Sequence, residues 1–568
     1  MPATIFRFFS IGLLLVATGC RNDKPAPQQD KKSTGTQGST QSQTESPCEG
    51  TLATIDEVFK LSKLGRTTTI EDGVLRLNDW QRTCAPSESP APLPLEIAKL
   101  LSEPQLKFLD ENRFLQRDGE HLRNCLLDRA VSRYATGTGA TELDRVKSLF
   151  EHVVRAIGLV AEPPQKLPLS PYEVYLLGKG TADDRAWVYI NVLKQLRIDA
   201  VLIQPQSSDR QTPAAAGAAF LVGVLLEGQI FLFDPKVGVA IPSIEGAAAG
   251  GTGPRVATLA EAASDPAVLK QLDAGPDHIY PIAADELKHP GAAIVADPAF
   301  WSRRMQGLQT QFVGARAMVI ADPPGDSADG APGLHSRIAK AGGDFWNASE
   351  IRIWGMPEER LAAHAQMTKD QLELLAGLMS PFAAYKIVGI NAEGQAGLVE
   401  SEKHEDIAAD KNLYPSARMN ERVIERTTAG AQMQARIDQL EGNSAQAVRA
   451  YLEVREKCRE LLKYNIVIPE RIRHTRAAED ATYWTALCQY EQGEMKSAVN
   501  TLQYLRKRSE STHWQRESRY LLALSQAGAG DFKAAVATLE TAEPDDPEYL
   551  GNRHLIRQWQ AAAKSNAN

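Results

Sequence analysis

Beyond its N-terminus, the 568-residue chain has no apolar run long enough to cross a bilayer. It has only six cysteines, no C-x-x-C, and no histidine spaced to complete a zinc site, so a metal centre is not expected. A basic excess is also missing. Lys and Arg number 63 against 71 Asp and Glu, a net charge of -8, which argues against a nucleic-acid partner. No cofactor motif is present. Gly178-Lys179 could suggest a phosphate loop, but Gly180 follows where Ser or Thr is needed, and Glu173 replaces the first glycine. What remains is ordinary globular composition, 43% hydrophobic and 24% charged, with length for three or four domains.

The chain opens "MPATIFRFFSIGLLLVATGC", with Arg7, a short apolar run from Phe8 to Ala17, and small residues before Cys20. This layout suits a cleaved export signal better than a membrane span. The segment "VATGC" resembles the lipobox of bacterial lipoproteins, which implies lipidation of Cys20 and a membrane anchor facing the periplasm or cell surface. Residues 21–47 contain no aliphatic residue larger than Ala and read as a tether. Export implies an oxidising compartment. Of the five cysteines that remain, Cys48 and Cys84 are the expected disulfide, because both lie in the loop-rich first module.

The expected fold class is multidomain α+β. Residues 48–140 read as a mainly helical module. Thr141 is placed to cap a helix whose Val146, Phe150, Val153 and Val154 form an apolar stripe. Residues 141–245 then carry a second helix, opened by a Thr181-x-x-Asp184 capping box, and two strands joined by a turn at Glu227-Gly228. Residues 246–275 read as a linker. Residues 276–425 read as a mixed α/β module, in which "GAAIVADPAF" and "ARAMVIADPP" look like buried strands. His278, His289, His335, His364 and His404 are scattered and carry no site.

Residues 426–562 repeat a pattern. "GNSAQAVRAY", "GEMKSAVNTL" and "GDFKAAVATL" place Gly442, Gly493 and Gly530 each five residues before Ala447, Ala498 and Ala535. The pattern resembles the tetratricopeptide repeat, an all-α array in which Gly ends one helix and a small Ala lets the next pack closely. The resemblance implies a protein or peptide partner.

The segment from 141 to 245 resembles the transglutaminase-like core of the papain-type superfamily. "VLKQLRIDAV" matches the family's helix-to-strand passage, with Arg197 where the family has Gly, and Asp234-Pro235 matches its Asp-Pro ending. Aligned this way, Ala182 falls on the nucleophilic Cys, Ala219 on the His, and Asp234 on the orienting Asp. A thiol at a helix N-terminus, a base and an orienting acid are what that chemistry requires. Two of the three are absent, so the resemblance implies a core with no catalytic residue and no cofactor. His121 and Cys125, one helical turn apart, are more simply a satisfied helix face.

The sequence therefore predicts an exported, lipid-anchored, non-catalytic scaffold or binding protein. The alternative is a cell-envelope hydrolase, or a transglutaminase-like protease, acting through residues the sequence does not reveal. Changing Cys20 to Ser should abolish incorporation of labelled fatty acid. Equal labelling of both forms would reject the anchor.

Overall fold

The computed structural model describes residues 47–61, 63, 68–84, 93–160, 167–206, 219–247, 254–322, 332–382, 387–390, 395–398, 430–466, 468–509 and 513–567. Cys20 and the expected tether, up to residue 46, lie outside them, as does His404.

The described residues open with helices α1 (Pro47–Val58), α2 (Ile70–Cys84), α3 (Leu95–Ala98), α4 (Glu103–Asp110) and α5 (Gln116–Tyr134). A Cys48–Cys84 disulfide joins α1 to α2. Then come α6 (Glu142–Ala156), β1 (Gly158–Leu159), α7 (Pro171–Leu177), β2 (Lys179–Gly180) and α8 (Ala182–Gln195). Asp144 N–H donates to Thr141 Oγ1 at 3.0 Å, capping α6, and Val146, Leu149, Phe150, Val153 and Val154 bury its inner face. Helix α8 is buried nearly all round, from Ala186 to Ile190 and again at Val192 and Leu193.

Strands β3 (Ala200–Gln204), β4 (Leu221–Leu226), β5 (Gln229–Asp234) and β6 (Val239–Ala240) form an antiparallel meander behind α8. Glu227 and Gly228 both have positive φ, 52° and 76°, as a two-residue hairpin turn of matching twist requires. Side chains alternate across the sheet. Val222, Val224, Phe231 and Phe233 face α8, where Phe150, Tyr189 and Phe233 meet with ring centroids 5.1–5.5 Å apart. Leu221, Leu225, Ile230 and Leu232 face a second core on the far side.

The expected linker and the expected separate α/β module both need correction. The 246–275 segment shares a hairpin, β7 (Pro242–Ala247) with β8 (Pro254–Val256), followed by α9 (Leu259–Ser264) and α10 (Pro266–Lys270). Leu259, Ala262 and Leu269 sit in the second core. Next come β9 (Gly291–Ile294), α11 (Arg303–Gln309), α12 (Leu334–Gly342), β10 (Ile351–Ile353), α13 (Met356–Ala365), α14 (Lys369–Met379), β11 (Ile387–Ile390) and β12 (Gln395–Leu398). Strand β9 pairs antiparallel with β3, and β10 parallel with β9, giving the order β10-β9-β3-β4-β5-β6. Residues on either side of the supposed boundary therefore build one sheet. The described part of "ARAMVIADPP", residues 315–322, is not a strand. Side-chain amides take the place of a ladder there: Gln195 bonds both polar groups of Val319, and Gln309 Oε1 accepts from Ile320 and Ala321 N–H.

The C-terminal array comprises α15 (Gly430–Leu440), α16 (Ser444–Leu461), α17 (Ile468–Glu491), α18 (Met495–Arg508), α19 (Gln515–Gly528), α20 (Phe532–Leu539) and α21 (Tyr549–Ala567). A two-residue strand β13 (Asn465–Ile466) precedes α17 and pairs with β12. Gly442, Gly493 and Gly530 have φ of 82°, 79° and 85°. The residue after each donates to a carbonyl five back, Asn443 to Asp438, Glu494 to Gln489 and Asp531 to Gln526, at 2.7–2.9 Å. That is the Schellman closure, made three times. Ala447, Ala498 and Ala535 are fully buried. The sequence reading missed a further repeated bond: Thr501 to Gln489 and Thr538 to Gln526, at 2.8 and 2.7 Å. Each Gln stands four residues before the glycine and each Thr eight after it.

Overpacking such a contact costs about 1–3 kcal/mol. Ala535→Leu should lower the melting temperature measured by circular dichroism, and an unchanged value would contradict the close helix crossing.

Candidate functional site

A nucleophile of the papain type would stand at the turn into α8. There Thr181 acts as a cap: its Oγ1 accepts from Asp184 N–H at 3.2 Å and donates to Asp184 Oδ2 at 2.9 Å. Its own N–H donates to the same oxygen at 2.8 Å. Asp184 is buried, and its Oδ1 accepts from Arg360 Nη1 at 2.9 Å. The Thr181 hydroxyl is thus committed to the helix end, with its proton on a carboxylate already held by an arginine. Ala182 follows, half-buried, with nothing to ionise.

The structure does not bring Ala182, Ala219 and Asp234 together. Ala219 packs against the second core, on the sheet face away from α8. Asp234 faces the same way. Its Oδ2 accepts from Tyr280 Oη at 2.6 Å, and its Oδ1 from Lys236 and Val237 N–H at 2.8 and 2.9 Å. Burial pushes this carboxyl above its ordinary value, against the pull of those bonds. Asp234 therefore organises the Asp-Pro turn. The side chain on the α8 face is Phe220, one residue on, 6.2 Å from the Trp354 ring. A one-residue offset in a strand exchanges the two faces, and counting through the hairpin turn could not exclude it.

Arg197 closes α8 at φ 59°, a left-handed conformation that glycine adopts without cost.

His121 and Cys125 meet, with Sγ 3.6 Å from Nε2, but Nε2 also faces the Ile320 carbonyl at 2.8 Å. A nitrogen donating to that carbonyl cannot accept the thiol proton. Burial raises the thiol's pKa and lowers the imidazole's. The cavity beside them holds about 30 Å³, room for little more than a water. Lys194, pushed down to about 8 by burial, donates there to Asn191 and to the Val295 carbonyl. The thiol stays protonated, and a satisfied helix face is what the structure shows. Cys458 and Cys488 are likewise buried with raised pKa values. His278 lies tilted against the Tyr549 ring, His335 faces the Ala348 carbonyl, His364 pairs with Glu173, and His289 is exposed. Among the described residues no cluster of His, Cys, Asp or Glu could hold a metal ion.

The array lies against this turn. Arg436 on α15 donates twice to the Tyr175 carbonyl, at 3.0 and 2.6 Å, with its guanidinium 3.6 Å from the Trp484 ring centroid. Glu491 on α17 faces His152 Nδ1 at 2.7 Å. Lys179 donates to the His513 carbonyl at 2.8 Å, pairs with Glu517, and lies 4.5 Å from the Trp514 ring. Gly178 must be glycine twice over. Its φ is 60°, and a Cβ there would lie 2.0 Å from Trp484. These contacts come from α15, α17 and α19, the first helix of each pair, or from the turn into α19.

Between the turn and the array lies a cleft of about 640 Å³. Leu159, Val160, Leu167, Leu169, Leu177, Leu374 and Leu378 line its apolar part, with Lys179, Gly180 and Thr181 at the α8 end. Arg476, Arg516, Arg519, Glu543, Asp545 and Asp546 supply the charged wall. Asp546 holds both Arg516 and Arg519.

A family model described as anaphase-promoting complex, cyclosome, subunit 3 matches residues 461–542, from the end of α16 to just past α20. The array is tetratricopeptide-like. No curated protein and no solved structure matches the chain. Arrays of this kind present surfaces to other proteins, which is consistent with a protein-interaction role for this chain.

The sheet faces make a prediction about reactivity. A thiol introduced as Ala182→Cys should show the same pH dependence of alkylation with and without Ala219→His. Adding Phe220→His instead should shift the profile to lower pH, because that imidazole faces α8. A shift caused by Ala219→His would overturn the assignment of faces.

Proposed function

We propose that this protein is an exported, lipid-anchored, non-catalytic binding protein that captures a segment of another protein in the cleft between the α8 turn and the array. The observation that carries the reading is the cleft itself. Its leucine-lined floor suits apolar side chains, its charged wall suits a polar backbone, and its volume exceeds what a small ion or solvent needs. In this reading the helix and sheet are a transglutaminase-like framework. Support comes from the passage of α8 into an antiparallel meander, the left-handed Arg197, and the Asp-Pro turn after β5. Ala182 and the committed Thr181 hydroxyl leave no nucleophile at the α8 start, which favours binding over turnover. The Cys48–Cys84 disulfide is consistent with an oxidising compartment, and "VATGC" with a lipid anchor there.

The test places a photo-crosslinking phenylalanine analogue at Leu374, half-exposed in the cleft, and another at Leu75, exposed on α2. The Leu374 probe should give a discrete, intact protein adduct that the Leu75 probe does not, and Leu378→Asp should abolish it. Identical adducts from both probes would reject the cleft. Cleaved or acyl-modified adducts would favour the hydrolase alternative.

A further inference from the structure

The first helices of the array are spent on the α/β core, so any second partner must use the other side. The C-terminal ends of α16 and α18 and the first part of α17 enclose a separate groove of about 430 Å³. It shares no lining residue with the leucine-lined cleft. Three arginines line it, one from each helix: Arg459, Arg471 and Arg508. The guanidinium groups of Arg459 and Arg508 lie 4.8 and 5.4 Å from the Tyr504 ring centroid, which keeps them over the groove.

The local charge does not balance. Glu479 is the one carboxylate among the lining residues, and it already accepts from Ser509 Oγ at 2.7 Å. Arg471 bonds to a neutral group, the Tyr464 carbonyl, at 3.4 Å. Arg459 reaches Glu456 at 3.1 Å, one turn back on its own helix, a solvent-exposed pairing of small energy. Arg506 and Lys507 add positive charge in the last turn of α18. In a chain of net charge -8 this is a local reversal of sign. Leu462, Ala478 and Leu505 supply apolar contact between the cations.

We propose that this groove binds an extended acidic segment of a partner protein, with Asp or Glu carboxylates against Arg459, Arg471 and Arg508. Guanidinium forks pair with carboxylates through two parallel hydrogen bonds, and three forks from three helices select a row of acids over a single charge. Such binding weakens as salt screens it.

The experiment uses the whole protein and a fluorescent peptide of about ten residues alternating Glu or Asp with Gly, against a control carrying Gln or Asn instead. Fluorescence anisotropy should show binding of the acidic peptide alone, weakening about tenfold or more between roughly 0.05 and 0.5 M salt. The double variant Arg471→Glu/Arg508→Glu should lose it, while Leu374→Asp in the cleft should leave it unchanged. All three arginine side chains reach solvent, and Arg471→Gln/Arg508→Gln, expected to lose at least several-fold, serves if charge reversal disturbs folding. Absence of binding, or equal binding by a folded double variant, overturns the proposal. Full displacement by inorganic sulfate at matched ionic strength would reduce the groove to a simple anion site and overturn it too. Since crosslinking from position 374 tests the cleft separately, failure here and failure there are distinguishable.

Discussion

The architecture turns on one buried guanidinium. Arg185, in the first turn of α8, donates to the Ile157 carbonyl at 2.7 Å, to Pro235 at 3.1 Å and to Val154 at 3.0 Å, and it pairs with Glu548. Those partners are the end of α6, the turn after β5 and the entry to α21. One planar cation therefore fixes helix, sheet and array relative to one another. Lysine could not replace it, since a single ammonium lacks the fork that reaches four acceptors. Removing it would leave three carbonyls and a carboxylate in a place built to exclude water.

The same economy decides which surfaces are left for partners. A tetratricopeptide-like array standing alone would offer the face of its first helices. In this chain that face is occupied by Tyr175, Gly178, Lys179 and His152, so the array is part of the core's packing as well as an interaction fold. Two of the surfaces that stay open are the cleft where array and core diverge, and the groove that α16, α17 and α18 enclose. The first is leucine-lined, the second arginine-lined.

How much of this could be read from the sequence depended on distance along the chain. The N-cap at Thr141, the capping box at Thr181, the Glu227-Gly228 turn and the three Gly–Ala steps of the array are local patterns, and each stands where its residues indicate. The joining of β9 and β10 to the sheet was not legible. Their pairing depends on partners far away in sequence, and short apolar runs do not name their neighbours. The repeated Gln–Thr bond could have been found, because both residues recur at fixed distances from glycine. Ala219 illustrates a different limit. Counting along the chain reached Ala219, but in a strand the neighbouring residue points the opposite way, and the side chain on the α8 face is Phe220. Asp234 was expected as the remnant orienting acid, whereas its carboxylate holds a turn through Tyr280 and two backbone amides.

The pairing of Arg185 with Glu548 also has a consequence in time. The two residues are 363 positions apart. At a synthesis rate of about 5–20 residues per second, α8 emerges roughly 20–70 s before the carboxylate that completes its shell. His152 waits almost as long for Glu491, 339 positions on. The α/β part thus spends its early life with a cation answered only by carbonyls and with the Tyr175 edge bare. The last helices of the array are what close the molecule, so a ribosome that stops short of α21 releases a chain whose centre is still open.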